Sequence, residues 1–101
     1  MKRTSVDRAE FDAACNALWS EICYQDSLPR RTDDEAKDVP GFLTLLNAYV
    51  QKTTYAWADC PGTEQPDGTV QVEEALNGLR KICAIALRAM IYNGIRQRKL
   101  T

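Results

Sequence analysis

Phe42-Leu43-Thr44-Leu45-Leu46-Asn47-Ala48-Tyr49-Val50-Gln51-Lys52-Thr53-Thr54-Tyr55-Ala56-Trp57 carries a single charge, Lys52, in 16 residues. Asp38 is placed to cap a helix over 39–58, and Pro40 fits its first turn. Phe42, Leu43, Leu45, Leu46, Ala48, Tyr49, Val50, Tyr55, Ala56 and Trp57 make that helix apolar around most of its circumference. Such a helix must be covered on most of its circumference. Two neighbouring helices do not easily cover it all, whereas a second copy of the chain would. This predicts a homo-oligomer with Phe42, Leu46, Tyr49 and Trp57 in its interface. The other reading is a central helix whose Thr44, Asn47, Gln51 and Thr54 face water.

Two amphipathic segments flank it. Over 6–27, Phe11, Cys15, Leu18 and Ile22 recur at helical spacing, and Ala14, Trp19 and Cys23 widen the stripe. Thr4 with Asp7 has the form of a capping box, and Pro29 stops the helix. Over 72–93, Leu76, Leu79, Cys83, Ala86 and Met90 form a stripe that reads as core, broadened by Ile82, Ile85, Leu87 and Ile91. Glu73 and Glu74 fall in its expected first turn, where they suit the positive end of the dipole. Asn93-Gly94 ends it. Gly78 lies inside it at a cost of about 1 kcal/mol against alanine and marks either a close helix crossing or nothing. Charged 28–38 and turn-rich 59–71 read as loops, and Val70-Gln71-Val72 alternates like a strand too short to found a sheet. The expected fold is all-α: one domain over 1–101, a three-helix antiparallel bundle assembled as a homo-oligomer.

A chain of 101 residues has room for one modest core and not for separate catalytic and cofactor domains. Its net charge of -1 gives no strong field to draw in nucleic acid or an anionic membrane. The absence of histidine removes serine–histidine and cysteine–histidine dyads and most zinc sites. No apolar run approaches the roughly 18 residues of a membrane span, and Met1-Lys2-Arg3-Thr4 is not followed by an apolar signal core. Cys15, Cys23 and Cys83 fall among apolar helix positions and read as reduced, buried small hydrophobes, so the expected compartment is the cytoplasm. Cys60, beside Pro61, has no nearby base to activate it.

The usable acids are carboxylates. Glu21 and Asp26 precede a loop whose Arg30, Arg31, Asp33, Asp34 and Glu35 make a charged surface for partner binding. Glu21 would supply a Mg²⁺ ligand if that loop folded back over it. Arg80, Lys81 and Arg88 read either as a phosphate-binding stripe or as the wet side of an amphipathic helix. Arg96, Arg98 and Lys99 suit the negative end of that helix, and nucleic-acid binding is a weaker expectation.

Glu21-Ile22-Cys23-Tyr24-Gln25-Asp26 resembles the E-R-x-x-Q-D stretch of small phage-encoded MazG-like proteins, in the all-α nucleoside triphosphate pyrophosphohydrolase superfamily. Residues 79–90 resemble the alanine-rich helix that closes those domains. The resemblance implies an all-α fold, assembly as a dimer or tetramer, and phage origin. Members that hydrolyse nucleotides hold Mg²⁺ with paired carboxylates on the second and last helices. Here residues 42–49 and 78–87 contain none. The expectation is therefore a non-catalytic helical interaction protein that binds a host protein or a nucleotide-like ligand without a cofactor. The alternative is a Mg²⁺-dependent pyrophosphohydrolase with Glu21 as one ligand.

Overall fold

A computed structural model of the chain describes residues 3–29, 37–58 and 69–100. Among these, three helices and no strands occur: α1 (Arg8–Ser27), α2 (Val39–Ala58) and α3 (Thr69–Tyr92).

Local chemistry explains the ends. At α1 the capping box is Asp7 with Glu10, one turn later than Thr4 with Asp7. The Glu10 N–H donates to Asp7 Oδ1 at 2.8 Å, and the Asp7 N–H donates to Glu10 Oε1 at 3.3 Å. Glutamate at the third helical position has the reach to close such a box, and Arg3 pairs with the same carboxylate. Leu28, extended ahead of Pro29, closes α1. Asp38 caps α2 as expected, taking the Gly41 N–H at 2.9 Å. Helix α3 begins earlier than expected, so Val70-Gln71-Val72 is helical. A lone alternating triplet has no strand to pair with, whereas each residue added to a formed helix gains a hydrogen bond. Glu73 and Glu74 consequently lie beyond the first turn. Gly94, at φ 79°, takes the left-handed position past α3, and the Ile95 N–H donates to Met90 O at 2.9 Å.

The helix in the middle is α3. Helix α2 packs along it antiparallel, with Thr53 against Gly78, Tyr49 under the Lys81 ammonium, and Phe42 against Tyr92. Helix α1 packs along it parallel, with Glu21 at Arg80 and Asp26 at Arg88. Helices α1 and α2 do not pack on each other. Thr44, Asn47, Gln51 and Thr54 do face water, though α2 is a flank and not the centre.

The buried apolar residues among those described are Phe42, Ala84 and Ile85. The stripe expected to form the α3 core turns outward instead: Leu76 is 57% exposed, Leu79 50% and Met90 40%, with Cys83 exposed between them. The inward side of α3 carries Gly78, Arg80, Lys81, Ala84, Ile85 and Arg88. Small residues let the helices approach, and the arginines meet acceptors on α1. Cys23 is likewise exposed and Cys15 half-buried, so burial does not explain the cysteines, which are unpaired.

The resulting arrangement is open. Its radius of gyration is 16.0 Å, against about 13 Å for a compact chain of this length. Its accessible surface is 8584 Å², against about 5,800 Å² for a compact folded chain of this mass.

Candidate interaction surface

The α1–α3 contact is a chain of charged and amide groups. Arg80 Nε donates to Glu21 Oε1 at 3.0 Å, and Gln25 Nε2 donates to Glu21 Oε2 at 3.1 Å. Gln25 Oε1 accepts from Arg88 Nε at 3.0 Å. Arg88 Nη2 reaches Asp26 Oδ1 at 2.7 Å and the Ile22 carbonyl at 3.2 Å, while Nη1 donates to the Tyr92 hydroxyl at 3.1 Å. Arg80, Ala84 and Arg88 share one face of α3, and the fully buried Ala84 is small enough to let α1 close over the pair. Burial alone would lower the Arg88 pKa. Hydrogen bonds to Asp26 and Tyr92 and the attraction of Asp26 outweigh it, so the guanidinium stands above its ordinary value.

Glu21 is the one buried polar or charged side chain among the described residues. Both its oxygens are engaged within the protein, by Arg80 and Gln25. Among the described residues no three His, Cys, Asp or Glu side chains cluster as metal ligands would. A Mg²⁺ ion, which takes one or two carboxylates together with waters and substrate phosphates, would have to compete with Arg80 for Glu21. The Arg80, Lys81 and Arg88 group is also not a free phosphate-binding stripe. Both arginines are committed to α1, and Lys81 lies over the Tyr49 ring at 5.6 Å.

Because α1 and α2 diverge, a groove of about 590 Å³ runs between them with α3 as its floor. Glu21, Tyr49, Lys52, Trp57, Glu74 and Lys81 line it. Its cations and carboxylates are mixed, so it presents no single sign of charge. Of the α2 residues expected at an oligomer interface, Phe42 and Tyr49 are used within the chain against α3. Leu46 is half-buried and Trp57 exposed. The expected partner-binding residues Arg30, Arg31, Asp33, Asp34 and Glu35, and Cys60, lie outside the described residues.

The surface that sequence reasoning missed is the outer side of α3. Val72, Leu76, Leu79, Cys83, Ala86 and Met90 follow one another at intervals of 4, 3, 4, 3 and 4, the spacing of a coiled-coil seam. The stripe runs for about 27 Å along the helix. Ala86 is half-buried and the other five are exposed. The spacing was visible from the start. That it faces away from both neighbours was not.

No family model, curated protein or solved structure matches this chain. Among the described residues the chain is all-helical, with three helices, α1 and α2 each packed on α3. Among its described residues no helix is long and apolar enough to cross a membrane.

Proposed function

We propose that this chain is a non-catalytic helical interaction protein that works as a homo-oligomer. The observation that carries this reading is the apolar stripe that α3, the central helix, turns to solvent. An isolated soluble chain rarely exposes a contiguous apolar strip of this length, and exposed patches of that kind mark contact surfaces.

Against the pyrophosphohydrolase alternative stands the ion pair at Glu21. Its carboxylate neutralises Arg80 and orients Gln25, and among the described residues no group of three potential ligands accompanies it to hold an ion and aim a water.

The test is light scattering on size-exclusion peaks over a wide concentration range. The expected mass is a multiple of 11.4 kDa. A monomer at the highest concentration overturns the reading. So does Mg²⁺-dependent release of pyrophosphate from any nucleoside triphosphate that disappears in Glu21→Ala.

A further inference from the structure

We infer that the outer stripe of α3 is a two-fold seam at which the α3 of a second copy packs antiparallel. The inference rests on the homo-oligomeric reading and specifies its interface.

Three observations carry it. The first is symmetry. An isologous two-fold contact needs a surface complementary to itself. Val72 and Met90, Leu76 and Ala86, and Leu79 and Cys83 lie symmetrically about position 81. A two-fold axis crossing the seam at that level places each member of a pair opposite the other, with no residue of the stripe left over.

The second is size. The antiparallel register sets Leu76 against Ala86 and Leu79 against Cys83, a large side chain against a small one at each level. Alternating large and small residues across a contact lets layers interdigitate without voids. A parallel register sets Ala86 against Ala86, leaving a gap.

The third is charge. The N-terminal end of α3 carries exposed Glu73 and Glu74, and the chain beyond its C-terminal end carries exposed Arg96, Arg98 and Lys99. Antiparallel helices put the acidic end of one copy at the same end of the seam as the basic segment of the other. Parallel helices place like charges together at both ends.

The experiment is disulfide trapping between two differently tagged full-length chains, each with one cysteine. In both, Cys15→Ala, Cys23→Ala and Cys60→Ser remove the other thiols. One chain keeps Cys83, and the second carries Leu79→Cys with Cys83→Ala. On mild oxidation the mixture is expected to give the mixed cross-linked dimer, while either chain alone gives little. In parallel, Leu79→Lys places a charge on an exposed position, so its far-UV helical signal should match the parent while its scattering mass falls to that of one chain. The Cys83 chain cross-linking to itself would show a parallel seam and overturn the inference. Oligomers that form no mixed cross-link, or that persist in Leu79→Lys, would place the interface elsewhere, sinking the seam while leaving the homo-oligomeric reading intact. A parent chain that is monomeric throughout removes both.

Discussion

Helix α3 is held on its two inner flanks by different chemistry. Toward α2 it offers Gly78, Ile85 and Tyr92, and the contact is made by close backbone approach and ring packing onto Phe42. Toward α1 it offers Arg80 and Arg88, and the contact is made by hydrogen bonds to Glu21, Gln25 and Asp26. Apolar burial tolerates small rotations, because it scales with area and has no direction. Guanidinium–carboxylate pairs are directional, and a buried charge that loses its partner is costly. The α2 contact therefore supplies bulk cohesion, and the α1 contact supplies register.

Arg88→Ala breaks this comparison most strongly. It removes a half-buried cation with four acceptors and leaves Gln25 Oε1 without its donor beneath α1. The expected cost is about 3 kcal/mol, less than the upper end for buried pairs because Asp26 is half exposed and can be hydrated. Arg88→Lys keeps the charge but loses the fork that reaches several acceptors at once, so it should recover less than roughly half of that loss. Urea unfolding at fixed protein concentration measures both. A loss below about 1 kcal/mol for Arg88→Ala would mean that α1 does not depend on this cluster.

The three helices were legible in the residues, and so were the caps at Asp38 and Gly94, whereas the box at the start of α1 lies one turn past the Thr4–Asp7 pair expected. The second helix starts at Val39 and ends at Ala58 as read from Asp38 and the apolar run, and Gly94 takes the conformation that Asn93-Gly94 implied. Which helix sits in the middle was not legible. Periodicity finds a face and says nothing of what lies opposite it, and the most apolar stripe of α3 was naturally assigned to the core. The inner face was hidden because Arg80 and Arg88 look like solvated residues until Glu21, Gln25 and Asp26 on α1 are placed beside them. The matching intervals on the two helices were the available signal. They decide nothing until the parallel direction of α1 and α3 is known.

On the α2 side the sharpest test is Gly78→Ala. In an unobstructed helix alanine would add about 1 kcal/mol. Here its Cβ would stand 2.7 Å from Thr53 Oγ1 and 2.8 Å from Thr53 Cγ2. Threonine is branched at Cβ and stiff at χ1, so it cannot swing both γ atoms aside, and the helices must part. Overpacking of this kind costs about 1–3 kcal/mol, which leaves a net destabilisation near 1 kcal/mol. Gly78→Ala combined with Thr53→Ala removes both obstructing atoms and should be more stable than Gly78→Ala alone. Such coupling between touching residues is what a double-mutant cycle reads. If Gly78→Ala by itself raises stability, the two helices are not in close register at this crossing.

The smallest expected effect concerns the N-terminus of α1. The Glu10 carboxyl is held below the ordinary glutamate range, first by its hydrogen bond with Arg3 and then by the Asp7 N–H. Since the folded pKa is the lower one, the contribution is complete above the ordinary glutamate pKa of about 4.3 and disappears as pH falls through the depressed folded value. Acid should therefore loosen the first turn of α1 while the Phe42–Tyr92 packing, which contains no carboxyl, stays in place. Amide chemical shifts of Asp7 and Glu10 followed through mild acid will report the loosening. Glu10→Gln can still reach the Asp7 N–H but does not titrate, so it should abolish the pH dependence of the Asp7 amide. If that dependence survives unchanged in Glu10→Gln, the Glu10 carboxylate does not govern the cap.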